Sequence, residues 1–272
     1  MPAVTLPAFP DNVPTHLLLV IDYDLLKARD EAEIDRLWEA ATKLGFWYLK
    51  NHGVTTEVDN MFYMGKETMA LPIEEKLRFE QGDEGSSFGW VFTSNVPNVH
   101  ANQYISRYKA AGANAVDATG KLDTVEFINV AKDDALAWPK QAHRTYPSTV
   151  NAHMEPTIIP FIRKSLDINN TLLDILNDRL GLPKGTLLEK HRMEEYSGSE
   201  SRVIRNPPQH QQPGKPPTVA IGSHTDFGSL SFLHNRLGGL QVLVPGAETW
   251  QYVKVRRPAS LRPLSQQIIS TS

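Results

Sequence analysis

The prevailing spacing of apolar residues changes late in this chain, and that change restricts the folds open to it. Between Asp30 and Leu180 they recur mainly at helical intervals. Beyond Tyr196 they alternate, or gather in runs too short for a helix. From Asp30 to Leu44 the residues Ile34, Leu37, Trp38, Ala41 and Leu44 share one face, and Gly45 stands where a C-terminal cap belongs. Val58, Met61, Phe62, Gly65 and Met69 mark a second helix from about Thr56. Leu71 to Leu77 reads as a short third helix with Pro72 in its first turn. A long helix from about Met154 carries Ile158, Ile162, Leu166, Leu172, Leu173, Leu176 and Leu180, with Pro160 kinking or starting it. It ends at Gly181-Leu182-Pro183, and a shorter helix follows near Leu187-Leu188.

Strands are expected over 17–23, 46–49, 123–130, 201–205, 218–221 and 229–233. Leu240 to Val244 and Thr249 to Val255 then make a hairpin around Pro245-Gly246-Ala247-Glu248. Residues 80–120, rich in Gly, Ser, Asn and Ala, read as long loops, and Ser260 to Ser272 carries no clear strand pattern. Helices early and short strands late predict an α+β chain, a helical N-terminal region around a β-barrel or jelly roll.

Composition narrows the chemistry. The 272 residues include no cysteine, so a disulfide framework, a zinc–thiolate site and a thiol nucleophile are excluded, and any metal needs nitrogen and oxygen ligands. A formal charge of −3 gives no electrostatic case for nucleic acid or an anionic membrane. No apolar run approaches a membrane span, and the first residues lack the pattern of a signal peptide, so a cytoplasmic location is expected.

His224-Thr225-Asp226 is the candidate site. On an extended backbone, side chains two apart project to the same side, so one imidazole and one carboxylate could hold one cation. Two histidines, one carboxylate and open positions suit non-haem Fe(II). A surface turn or a capping aspartate is the plainer reading of the same three residues. His52, in an Asn-His-Gly turn, reads as structural, and His210 as a surface-loop residue. Arg202 and Arg205 lie on the strand leading toward the site, and Arg205 either faces substrate or caps the barrel end. Phe88 and Trp90 could line a pocket or belong to the core, and Glu74-Glu75 is a solvated helix start.

The ordered set of segments resembles the isopenicillin N synthase-like, 2-oxoglutarate- and Fe(II)-dependent dioxygenases. It consists of Gly45 to Val54, Ala70 to Lys76, Asp123-Thr124-Val125-Glu126-Phe127 and Arg205-Asn206-Pro207-Pro208. His224-Thr225-Asp226-Phe227-Gly228-Ser229-Leu230, Gly238 to Val242 and Trp250 complete it. The resemblance covers about residues 15–258. It implies a double-stranded β-helix in which His224 and Asp226 bind Fe(II), with 2-oxoglutarate as cosubstrate and O2 as oxidant. The expected product is a hydroxylated, desaturated or cyclised small molecule of specialised metabolism. Asn206 stands where relatives carry a tyrosine, so Arg205 and Asn206 are weak candidates for contact with substrate or cosubstrate. The regions expected are an N-terminal non-haem dioxygenase part at 15–130, linking helices at 131–196, a partial jelly roll at 197–258 and a divergent tail at 259–272.

Two family features are missing. A second histidine is expected on a strand beyond the hairpin, yet His234 is the only histidine after Asp226, and it reads as a solvated turn residue. The Arg-x-Ser that would pair with 2-oxoglutarate is absent, since Arg262-Pro263-Leu264-Ser265 has the wrong spacing. The expectation is a homologue truncated at its C-terminus. The alternative function is therefore a catalytically impaired one, lacking the distal histidine and the 2-oxoglutarate-binding arginine. A cupin-like metal protein doing hydrolysis or isomerisation is a third reading.

Overall fold

Asp22 and Asp30 begin the first two helices in the same way, each with an extended backbone and a carboxylate that accepts a backbone N–H of the first turn. Strands β1 (Thr15–His16) and β2 (Val20–Asp22) lead into α1 (Tyr23–Lys27) and α2 (Glu31–Lys43). The buried face of α2 carries Glu33, Ile34, Leu37 and Ala40, while Trp38, Ala41 and Leu44 lie at its margin. Glu33 is buried because its carboxylate accepts the Asp22 N–H and pairs with Arg36. Gly45, at φ 77°, takes the left-handed turn that ends α2 and starts β3 (Phe46–Lys50). This is a computed structural model that describes residues 9–79, 108–109, 126–206, 226, 228–254 and 267–271.

The remaining elements follow in order: α3 (Thr55–Met69), α4 (Ile73–Leu77), β4 (Tyr108–Lys109), β5 (Glu126–Ala131), α5 (Lys132–Ala137) and α6 (Ser148–Ala152). One turn of π-helix (Met154–Ile158) precedes α7 (Ile159–Arg179), so the long helix expected from Met154 is built in two parts. The His153 carbonyl accepts from both Thr157 and Ile158, and Pro160, which has no N–H to give, falls in the first turn of α7. Then come α8 (Thr186–Glu189), β6 (Glu200–Arg205), β7 (Leu230–His234), β8 (Gln241–Val242), β9 (Gln251–Val253) and β10 (Gln267–Thr271). The composition is α+β, as expected. The strand expected over 218–221 lies outside the described residues.

The chain forms two compact units. The first comprises Met1–Val58, Lys164–Arg192 and His224–Ser272. It holds a three-stranded sheet of order β1-β9-β8 and a four-stranded sheet of order β2-β3-β10-β7. The expected hairpin is present, with Gln241 opposite Tyr252 and Val242 opposite Gln251. Leu18, Tyr48, Val242 and Val253 form a buried cluster, and the Tyr48 hydroxyl donates to the Lys254 carbonyl at 2.5 Å. Arg29 pairs with Asp174 and Asp178, and Arg179 with Asp35, which straps α7 to the N-terminal helices.

The tail departs from expectation. Residues 267–271 form β10, antiparallel to both neighbours, with Ile269 opposite Trp47 on β3 and Phe232 on β7. Ile269 is fully buried. Gln-Ile-Ile-Ser-Thr shows no clear alternation, and the two partner strands supply the order.

The second unit comprises Asp59–Arg163 and Met193–Ser223. Its sheet runs β4-β5-β6, with β5 and β6 antiparallel over six residue pairs from Glu126↔Arg205 to Ala131↔Glu200. Gly65 of α3 meets Val203 of β6 so closely that a Cβ there would stand 2.2 Å from Cγ1 of the valine. No helix among the described residues is long and apolar enough to cross a membrane.

Candidate functional site

Asp226 is half-buried and lies shortly before β7, while His224, Thr225 and Phe227 fall outside the described residues. The expected pairing of His224 with Asp226 on one side of an extended backbone therefore also lies outside them. The strand after Asp226 is tied down within the first unit. His191, just past α8, donates from Nδ1 to the Leu187 carbonyl at 2.7 Å, and its Nε2 meets the Ser229 hydroxyl at 2.7 Å. Among the described residues no group of three or more histidines, aspartates and glutamates could hold a metal ion.

His234 is not the solvated turn residue expected. Both ring nitrogens are shielded from solvent, and burial, reinforced by neighbouring His52, pushes its pKa down to about 3. The imidazole is therefore neutral at physiological pH. β10 pairs with β7 as far as this residue, with Gln267 opposite His234 in register. His52 is buried, its ring centroid 5.8 Å from that of His234, and its Nδ1 accepts the Val54 N–H at 3.3 Å. That bond fixes the ring and sets the turn, a structural role.

In the second unit the two faces of β5–β6 differ. On the face toward α3, Glu126 is wholly buried and paired twice, with Lys76 Nζ at 2.6 Å and Arg205 Nη2 at 2.5 Å. Lys76 Nζ and Arg205 Nη1 also donate to the Met69 carbonyl at the end of α3. These bonds hold Arg205 against Glu126 and the end of α3. Asn206, the next residue, is exposed.

The opposite face carries a polar network that strand periodicity alone does not reveal. Arg202 Nε donates to Asn129 Oδ1 at 2.8 Å and Nη2 to Glu200 Oε1 at 2.5 Å, and the guanidinium lies 4.8 Å from the Phe127 ring centroid. Asn129 is 1% exposed. Burial pushes the Glu200 carboxyl pKa up, against the opposing pull of Arg202. Counting by two from Arg202 finds Glu200 and Ile204. Only the pairing with β5 brings Asn129 and Phe127 beside them.

The family described as non-haem dioxygenase in morphine synthesis, N-terminal, matches residues 18–152. A 2-oxoglutarate-dependent dioxygenase of Gibberella zeae is 29% identical over 262 residues, which cover 94% of this chain and 70% of that protein. A leucoanthocyanidin dioxygenase of Perilla frutescens is 28% identical over 83% of this chain and 57% of its own length. The chain thus spans little more than half of the plant relative. Among solved structures, a 2OG-Fe(II) oxygenase family protein from Caulobacter crescentus superposes with a TM-score of 0.64 at 18% identity, over 94% of this chain and 73% of that one. A full-length Neurospora crassa protein in complex with alpha-KG gives 0.62 at 18% identity, over 97% and 75%. At such identities these two likenesses speak for the fold.

Proposed function

We propose that the chain is a 2-oxoglutarate-dependent non-haem dioxygenase, one that oxidises a small organic molecule using Fe(II), O2 and 2-oxoglutarate. The observation that carries the reading is the likeness over 94% of the chain to a 2-oxoglutarate-dependent dioxygenase. The family's segments stand in order along the sequence beside it. We read the short strands as parts of a double-stranded β-helix, and the chain as cytoplasmic.

His224 and Asp226 are the residues we assign to the iron. One imidazole and one carboxylate are the donor types that suit Fe(II) in a chain without cysteine. When bound, iron and 2-oxoglutarate supply the oxidation, with O2 as oxidant and 2-oxoglutarate converted to succinate and CO2. The protein's part is to hold the metal through Nε2 or Nδ1 of His224 and a carboxylate oxygen of Asp226, to orient substrate, and to exclude water. The bond from His191 to Ser229 steadies the chain just after Asp226. Asn206 and the half-exposed edge of Arg205 are our weaker assignments for substrate or cosubstrate contact.

Anaerobic Fe(II) titration followed by succinate release from 2-oxoglutarate tests the reading. Iron-dependent succinate release by the 272-residue chain, abolished in Asp226→Ala, is the expected result. Iron binding without succinate would favour the alternative, a homologue impaired for want of a distal histidine and a 2-oxoglutarate-binding arginine. Metal-dependent hydrolysis or isomerisation that needs neither O2 nor 2-oxoglutarate would replace both.

A further inference from the structure

The face of β5–β6 turned away from α3 holds a carboxylate oxygen with nothing to bind. Glu200 Oε1 is taken by Arg202, while Oε2 is shielded from solvent and has no hydrogen-bond partner among the described residues. A buried acceptor left in that state costs the fold its desolvation, about 1–3 kcal/mol or more for a charged group. Arg202 is also only partly used. Its Nε and Nη2 are occupied, its ring-facing side lies over Phe127, and no bond from Nη1 is present among the described residues. Beside this pair the surface is apolar, with Phe127 half-buried and Ile204 exposed.

We propose that Glu200, Arg202, Asn129 and Phe127 form a recognition face for a hydroxyl group carried on an apolar, ring-bearing substrate. A hydroxyl is a small neutral group that can both donate to Glu200 Oε2 and accept from Arg202 Nη1. Phe127 and Ile204 offer the skeleton a dry contact. Asn129, through its Oδ1, fixes the guanidinium plane and so acts as a positioning residue. The arrangement is prepared in advance, because the fork of Arg202 is already held at two of its nitrogens, and little ordering remains to be done on binding. A site that hydrogen-bonds a hydroxyl in this way rejects the analogue lacking the donor, since Oε2 of Glu200 would then be left without one. This inference names the substrate class for the function proposed above and rests on it.

The test is equilibrium binding of 2-naphthol and of 2-methoxynaphthalene to the full chain with Fe(II) and 2-oxoglutarate under anaerobic conditions, read by probe fluorescence. The two probes share shape and ring, and only the first has a donor for Glu200. The expected result is about tenfold or greater preference for 2-naphthol, the size of one charge-assisted hydrogen bond. Glu200→Gln should abolish most of the preference. Arg202→Lys keeps the charge but not the fork and should weaken 2-naphthol by a similar factor. It serves as the second variant if Glu200→Gln does not fold by circular dichroism. Equal binding of the two probes, no binding of either, or a preference unchanged in both variants overturns the proposal. Succinate release by the wild-type chain is measured separately. If it is absent while the hydroxyl preference is present, the dioxygenase reading fails and the recognition face stands.

Discussion

Two shielded titratable groups behave differently at the scale of single residues. Glu126 is ion-paired at both oxygens, so its cost of burial is offset only while Lys76 and Arg205 stay in place. Glu126→Gln removes the counter-charge from Lys76, itself buried, and should lower unfolding stability by about 3–5 kcal/mol in urea titration. The volume-matched pair Glu126→Leu with Lys76→Met should recover most of that loss. A double variant no more stable than the single one would mean that the cluster is not the source. His234 gives a pH signature. Its folded pKa of about 3 lies below the ordinary 6.5, so in acid the unfolded chain takes up a proton that the folded chain refuses. Stability from this residue is complete above about pH 6.5 and falls by up to about 1.4 kcal/mol per unit below it, toward pH 3. Urea midpoints of wild type and His234→Gln between pH 7 and 5 check this. Parallel curves would show that His234 does not titrate as described.

At the scale of elements, local signals were read well where a cap or a close approach fixed them. The span of α2 follows from the Asp30 cap at one end and Gly45 at the other, and the hairpin of β8 and β9 from turn residues between two apolar runs. Gly65 belongs to α3 by spacing, but its reason is tertiary, the contact with Val203 on β6. Gly65→Ala would gain about 1 kcal/mol of helix propensity and lose about 1–3 kcal/mol to overpacking. A net fall in thermal midpoint is expected, recovered when Val203→Ala is added. If Gly65→Ala alone raised the midpoint, α3 and β6 would have room that the contact distance denies. The π-turn before α7 was not readable. The same residues are compatible with an ordinary helix, and the difference lies in one carbonyl, that of His153, shared between two N–H donors.

At the scale of the molecule, the segment with the weakest sequence signal holds a central place. β10 lies between β3 and β7, so removing it separates a four-stranded sheet into β2-β3 and β7. Ile269→Asp places a carboxylate at a fully buried position and should destabilise the first unit by several kcal/mol. Hydrogen exchange locates the effect. Amides of Phe46–Lys50 and Leu230–His234 are expected to exchange faster, while those of Glu126–Ala131 in the second unit keep their protection. Uniform acceleration across both units would mean that they unfold together.

The amino-acid sequence by itself determined the α+β class, the major helices and their ends, and the family resemblance whose segments stand in order from Gly45 to Trp250. It also named His224 and Asp226 as the iron candidates. Those are properties of short stretches, where period, cap and motif lie within a few residues of one another. The tertiary structure alone decided that His234 has shielded ring nitrogens and is neutral, that Arg205 answers Glu126, that Glu200, Arg202 and Asn129 share a face, and that the tail is a strand. Each depends on a partner tens to more than two hundred residues away in the chain. Burial and pairing are set by what a side chain meets across a sheet, which its own neighbours in sequence do not specify.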